Sequence, residues 1–269
     1  MSFAAALPVG DHLREWRRRR RMSQLDLAGE AEVSSRHLSF VETGRANPSR
    51  DMVLRLAERL EVPMRERNVL LVAAGYAPVF PEGDLASPEL TAVREAVDII
   101  LEGHKPYPAF ALDRHWNIVA SNNALPQLYQ GVDPALLARP VNVIRLSLHP
   151  SGLAPRIANL GEWRGHVLAR LRRQVELTAD PVLIALMADV KSYSARLPAA
   201  PPPRHLAQTE MVVPFRIRLG EQVLSFFTTT LVFGTPLEVS LSELAVESFF
   251  PADAETAVTV RTLSGLPPR

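Results

Sequence analysis

The chain has 269 residues and no cysteine. Disulfide bonds, thiol nucleophiles and cysteine-ligated metal sites are therefore excluded. No stretch approaches the roughly 18 apolar residues that a membrane-spanning helix requires, and the first ten residues lack the charged and apolar regions of a signal peptide. These absences predict a soluble, cytoplasmic protein without a membrane span.

Motifs of catalysis and of metal binding are also missing. The sequence contains no GxSxG, HExxH, GxGxxG or P-loop pattern. The histidines of its C-terminal part show no i, i+4 spacing on a single helix, which a metal site would favour. We therefore expect no enzymatic activity, no metal site and no cofactor other than a bound effector molecule.

Charge is distributed unevenly although the net charge is only +1. Residues 1–76 carry +3, and the remainder of the chain carries −2. The five consecutive arginines Arg17–Arg21 can attract phosphate, although such a cluster also suits a solvated helix face. The length, together with 47% hydrophobic residues, predicts two domains with packed cores.

Residues 10–74 have the pattern of five short helices joined by tight turns. Apolar residues recur there at helical spacing, and Ser23, Ser34 and Ser49 stand where helix N-caps are expected. Gly44 follows the third helix, where a left-handed residue commonly ends a helix. This pattern predicts a small all-α domain.

The third of these helices has two distinct faces. Leu38 and Val41 lie on one face, whereas Arg36, Ser39 and Phe40 lie on the opposite one. Such an outward face belongs either to a solvated or packed surface or to a surface that binds a partner.

The segment MSQLDLAGEAEVSSRHLSFVETGRANPS resembles the Cro/repressor-type (XRE) helix-turn-helix family in register. The resemblance implies that residues 1–76 bind a double-stranded DNA operator, with the second helix against the backbone and the third in the major groove. Arg17 and Glu42 match a pair that ties the first helix to the third in this family. The residues expected at the DNA are Gln24, Ser34, Ser35, Arg36, Ser39, Phe40, Arg45 and Asn47.

Individual roles follow from the same resemblance. Gln24 is expected to contact phosphate, and the guanidinium of Arg36 is expected to bond O6 and N7 of a guanine. Phe40 departs from the family because it forms no hydrogen bond, but it can pack on a thymine methyl group. Glu32 stands where the turn usually carries glycine, at a cost on the order of 1 kcal/mol if its backbone is left-handed.

The rest of the chain predicts a connector and an α+β domain. Residues 77–89 contain prolines and glycines and form the connector, and residues 90–269 form the second domain. Two strands are expected at 110–112 and 117–120, followed by a helix that Ser121 or Asn122 caps. A helical middle is expected over 153–193, then a hairpin around Gly220 and a last strand over 243–250.

This second domain resembles the PAS-like ligand-binding domain of MmyB-like regulators, through ALDRHWNIVASNNA, LHPSGLAPRIANLGEWRGHVLARLRRQ and SFFTTTLVFGTPLEV. The resemblance implies an apolar cavity that binds a small effector, with a fatty acid as the expected ligand. Aromatic residues could line this cavity or be ordinary core residues, and arginines could hold a carboxylate or face water. The candidates are Trp116, Asn122, Arg156, Trp163, Arg164, Phe215, Phe227 and Phe233.

Two further expectations concern partners. One helix-turn-helix reads a short half-site, so a homodimer is expected on DNA. The alternative for the second domain is an antitoxin-like function in which it binds another protein. A tightly co-purifying protein would favour that alternative, and a bound lipid would favour the sensor.

Overall fold

The structure is a computed structural model that describes residues 7–83, 87–193, 213–233 and 238–267. These residues form two compact units. The first unit comprises residues 7–83 and 238–242, and the second comprises 87–193, 213–233 and 243–267.

The first unit begins with five helices, as predicted. Ser23, Ser34 and Ser49 each accept a hydrogen bond from the backbone nitrogen three residues later, which confirms all three N-caps. The helices are α1 (Val9–Arg19), α2 (Gln24–Glu30), α3 (Ser35–Glu42), α4 (Arg50–Arg59) and α5 (Met64–Ala73).

A single apolar core joins these helices. Leu13, Leu27, Leu38 and Leu56 are fully buried in it, one from each of the first four helices. At Gly10, α1 approaches α3 so closely that a Cβ atom would lie 2.2 Å from the carbonyl oxygen of Val41. The core therefore fixes α3 against α1 and leaves the opposite face of α3 outward.

The second unit is an α+β domain with a five-stranded antiparallel sheet in the order β2-β1-β5-β4-β3. Its hairpin turns at Gly220, where φ is 60°, as the sequence predicted. The elements are α6 (Thr91–Gly103), β1 (Ala109–Leu112), β2 (Ile118–Ser121), α7 (Val143–Leu148), α8 (Leu160–Thr178), α9 (Pro181–Ser192), β3 (Phe215–Leu219), β4 (Gln222–Val232), β5 (Ala245–Pro251) and α11 (Ala254–Leu263). The predicted fold class, an all-α five-helix domain followed by a PAS-like α+β domain, is confirmed.

Alternation along β5 distinguishes the two faces of this sheet. Glu247 and Phe249 point toward α8, and Glu247 pairs there with Arg170. Phe250 points to the other face, where its ring stacks on Phe227 at 5.2 Å. The face toward α8 carries the main core of the unit.

The first unit extends beyond the predicted boundary at residue 76. The amide of Asn68 accepts hydrogen bonds from the backbone nitrogens of Val79 and Phe80 and donates to the Phe80 carbonyl. The short helix α10 (Val239–Ser242) also belongs to this unit, because Val239 is buried there and donates its N–H to Pro81. Local sequence patterns do not reveal such a long-range return of the chain.

Candidate nucleic-acid interface and ligand cavity

The turn between α2 and α3 has the helix-turn-helix geometry. The backbone of Glu32 is left-handed, with φ of 56°. The condition for the predicted cost of a residue other than glycine at this position is therefore met. The N–H of Val33 donates to the carbonyl of Ala28 at 2.9 Å and closes the turn. The two helices are thereby held in a fixed arrangement.

On the outward face of α3, the structure brings two of the predicted DNA-binding residues, Arg36 and Phe40, into contact. The guanidinium carbon of Arg36 lies 5.5 Å from the centroid of the Phe40 ring, one helical turn away. Ser34 has its hydroxyl engaged with the N–H of His37 as the helix cap. Ser34, Ser35, Arg36, Arg45 and Asn47 are exposed, whereas Gln24, Ser39 and Phe40 are partly buried.

A buried carboxylate ties three helices together behind this face. Glu42 is 1% exposed and accepts hydrogen bonds from Nε and Nη2 of Arg17 at 2.7 and 2.8 Å. The same carboxylate accepts a bond of 2.7 Å from Nε2 of Gln24, and Arg14 donates to the Glu42 carbonyl. The predicted link between Arg17 and Glu42 is confirmed, and the side chain of Gln24 at the start of α2 is positioned by it.

This network determines the charge state of Glu42. Burial alone would raise the pKa of the carboxyl group, but the hydrogen bonds from Arg17 and Gln24 together with the nearby arginine charges hold it below its usual value. Glu42 is therefore ionised, and the bond to it raises the pKa of Arg17.

Much of the arginine cluster is engaged within the unit. Arg19 and Arg20 lie over the ring of Trp16 at 5.1 and 5.3 Å. Arg20 also donates to the carbonyl of Leu60 at 2.8 Å, and Arg17 binds Glu42. These contacts stabilise the domain and assign a structural role to three of the five arginines.

The second unit encloses an apolar cavity between the sheet and α8. Its empty volume is about 590 Å³, including the part that opens to solvent. Three predicted ligand-binding residues line it, namely Trp116, Trp163 and Phe215. The remaining wall consists of Phe110, Ile118, Leu125, Leu128, Tyr129, Val143, Ile144, Leu146, Ser147, Leu153, Val167, Arg170, Glu247 and Phe249.

The other five predicted ligand residues lie outside the cavity wall. Asn122 is buried, but its amide bonds the backbone of Ala109, Tyr107 and Leu101, and it caps no α-helix. Arg156 donates to backbone carbonyls, among them that of Leu128 at 2.9 Å. Phe227 is on the opposite face of the sheet, stacked on Phe250. The remaining two are Arg164 and Phe233.

Sequence reasoning missed the two charged residues of the wall. Arg170 on α8 places Nη2 2.6 Å from Oε1 of Glu247 on β5, and its guanidinium lies 4.8 Å from the Trp116 ring. A signal was present, because Arg170 follows Trp163 by two helical turns and Glu247 alternates with Phe249 at core-facing positions.

Neutral polar groups complete the wall. Nε1 of Trp163 donates to the hydroxyl of Ser147 at 2.8 Å, and Nε1 of Trp116 donates to Gln174 at 2.6 Å. Burial raises the pKa of Tyr129 to about 12, so its phenol is protonated at neutral pH. The cavity is therefore apolar with one ion pair and a few neutral hydrogen-bonding groups.

Over the described ranges, we find no group of three or more His, Asp or Glu side chains that could hold a metal ion. Within those same ranges, no helix has the length and apolar character needed to cross a membrane.

Comparison with known proteins bears directly on these two sites. Residues 93–263 match the family described as MmyB-like transcription regulator ligand binding domain. The chain belongs to the MmyB-like transcription regulators. Residues 8–70 match a helix-turn-helix domain family, so the protein is a transcription regulator with a DNA-binding domain and a ligand-binding domain.

Individual relatives add less to this assignment. The chain is 38% identical over 76 residues to the uncharacterized HTH-type transcriptional regulator RghRB of Bacillus subtilis (strain 168). This match covers 28% of the chain and about half of the relative, 52%. A solved RNA-binding light-oxygen-voltage receptor shares 13% identity with this chain at a TM-score of 0.24, over 98% of this chain and 65% of its own.

Proposed function

We propose that α3 of this MmyB-like regulator reads a specific DNA operator and that an apolar effector in the cavity changes operator affinity. The effector class is a long-chain acyl compound, a fatty acid or a derivative with the same chain. The observation that carries the proposal is the coexistence of an outward reading face on α3 and an apolar cavity in the second unit.

The DNA-reading part of the proposal is supported by the side chains of α3 and α2. Arg36 is exposed and is flanked by Phe40, so a bidentate bond to guanine can be accompanied by apolar contact with a neighbouring thymine methyl. Gln24 is held at the N-terminus of α2 by Glu42, where an amide N–H can meet a phosphate.

Measuring two alanine variants on a panel of operator sequences tests this assignment. Arg36→Ala should relax base preference at one position by about 1 to 3 kcal/mol, because a bidentate base contact is lost. Gln24→Ala should lower the affinity for all operator sequences by the same factor. Arg59 is an exposed arginine on α4, and Arg59→Ala is the matched control. It should change neither the base preference nor the overall affinity for the operator. If both Arg36→Ala and Gln24→Ala lowered affinity equally for all operator sequences, the assignment would be rejected.

The effector part of the proposal is supported by the character of the cavity. Its wall is mostly aliphatic and aromatic with a small number of polar groups, which is the character typical of small-molecule sites. Mass spectrometry of small molecules extracted from the purified protein should recover an apolar compound with an alkyl chain. Recovery of a tightly bound protein in its place would support the partner-binding alternative.

We also propose that the protein acts as a homodimer. Two reading helices about 34 Å apart would contact successive major grooves and supply the affinity that one short half-site lacks. Light scattering at micromolar concentration should give the mass of a dimer, free or on DNA. A monomer in both states would contradict this part of the proposal.

A further inference from the structure

The connection between β4 and β5 contributes a helix to the DNA-binding unit. The two strands are antiparallel neighbours that pair as far as Val232 and Ala245, where a local loop could join them. Residues 238–242 of the connection instead belong to the first unit, and Val239 of α10 is fully buried there. The sheet of the ligand-binding unit is therefore joined covalently to the DNA-binding unit through α10 as well as through the connector after Gly83.

A carboxylate anchors α10 within the first unit. Oε1 of Glu238 accepts hydrogen bonds from the backbone nitrogens of Gly83 at 2.8 Å and Ser240 at 2.9 Å, and Oε2 accepts one from Leu241 at 2.7 Å. Burial alone would raise the pKa of this carboxyl group, but the backbone hydrogen bonds hold it below its usual value. Glu238 is therefore ionised, and its charge-assisted bonds tie α10 to the end of the connector-proximal chain at Gly83.

The link from α10 to the cavity wall is short. Two residues, Glu243 and Leu244, separate the end of α10 from the start of β5. The three Cα–Cα steps across them span at most about 10–11 Å, and Leu244 is 2% exposed, so it is not a free loop residue. Glu247 and Phe249 of β5 line the cavity. A shift of β5 that accommodates a ligand therefore acts on α10 through a link with little slack.

We propose that α10 and its Glu238 anchor couple the cavity to the DNA-binding unit, so that a ligand which shifts β5 changes operator affinity through this connection. The inference rests on the proposed effector function and adds the route of the coupling. A ligand shifts an equilibrium only by its different affinity for the two arrangements, and a wall strand continuous with α10 provides such a difference. Within the first unit α10 contacts α5, so its displacement reaches the helices of the DNA-binding core. Glu238 is a positioning residue in this scheme.

Lengthening the short link tests the coupling on the full chain. Two glycines inserted between Ser242 and Glu243 add slack at a small entropic cost. Operator affinity is measured with and without saturating hexadecanoate, whose occupancy is followed by calorimetry. The two affinities should differ by roughly 5 to 150 fold in the unmodified protein, and their ratio should approach one in the insertion variant. The hexadecanoate affinity of the DNA-free protein should remain unchanged. The same insertion after Gly220, in the β3–β4 turn, is the matched control and should keep the full ratio.

A substitution tests the anchor without changing the length of the link. Glu238→Ala should also bring the ratio toward one, and Glu238→Gln, which keeps an acceptor oxygen, should restore part of it. Glu221→Ala, at an exposed position in the β3–β4 turn, is the matched control. Hydrogen exchange of the α5 amides shows whether the first unit of each variant is folded. A full ratio in either folded variant would overturn the inference and leave the effector proposal standing. An operator affinity that bound hexadecanoate does not change in the unmodified protein would overturn both proposals.

Discussion

Replacing Glu42 by alanine is expected to destabilise the DNA-binding unit more than any change to a surface ion pair. The substitution removes the acceptor of two hydrogen bonds from Arg17 and one from Gln24, and the Arg17 side chain is only 12% exposed. Removing one partner of such a buried pair costs about 3–5 kcal/mol, because the other charge is left without compensation.

A matched surface pair provides the comparison. Glu15 binds Arg19 at 3.1 Å in i, i+4 spacing but is 57% exposed, so Glu15→Ala should cost only about 0.3–0.5 kcal/mol. Hydrogen exchange of the amides in α1 and α3 reports the free energy of unfolding of this unit without interference from the other one. If Glu42→Ala and Glu15→Ala lowered the free energy of unfolding equally, the role given to Glu42 would be refuted.

The same network predicts the pH dependence of this unit. The pKa of Glu42 is lowered in the folded state from 4.5, so its stabilising contribution is fully present above about pH 4.5. This contribution should be lost as the pH falls through the lower folded value. The free energies of unfolding of the unmodified protein and of Glu42→Gln, measured by urea titration, should approach each other as the pH is lowered below 4.5.

Three other substitutions have defined outcomes. Phe40→Leu should weaken guanine recognition by about 0.5–1 kcal/mol in the unmodified protein but not in Arg36→Ala, and a double-mutant cycle on the operator measures the difference. Val167→Trp should fill the cavity and abolish binding of a long-chain fatty acid while leaving effector-free operator binding intact, and Val182→Trp at an exposed position is its control. Glu32→Gly should stabilise the unit by about 1 kcal/mol in urea denaturation, and a loss of stability would contradict the left-handed backbone there.

The DNA-binding domain was predictable because its signals are local. Serine caps, Gly44 and the helical spacing of apolar residues each act within a few positions, and the structure shows each of them. The link between Arg17 and Glu42 is long-range and was available only through family resemblance.

The cavity was predictable only in part because its wall is assembled from distant segments. An aromatic residue in a strand can face either side of a sheet, and nothing local distinguishes Phe215 at the cavity from Phe227 on the other face. The sequence predicts Ser121 or Asn122 as a helix cap, whereas the amide of Asn122 bonds the backbone of separate segments at Ala109 and Tyr107. Glu247 has no local signal of its role because its partner Arg170 lies on a different element.

The link between cavity and operator is the central claim, and titration of the operator with and without a saturating cavity ligand tests it most directly. Salt must be held constant because phosphate contacts make affinity salt-dependent. The account predicts that a long-chain fatty acid changes operator affinity by roughly 5 to 150 fold, and that DNA changes the affinity for the fatty acid by the same factor. Unchanged operator affinity despite proven occupancy of the cavity would contradict it.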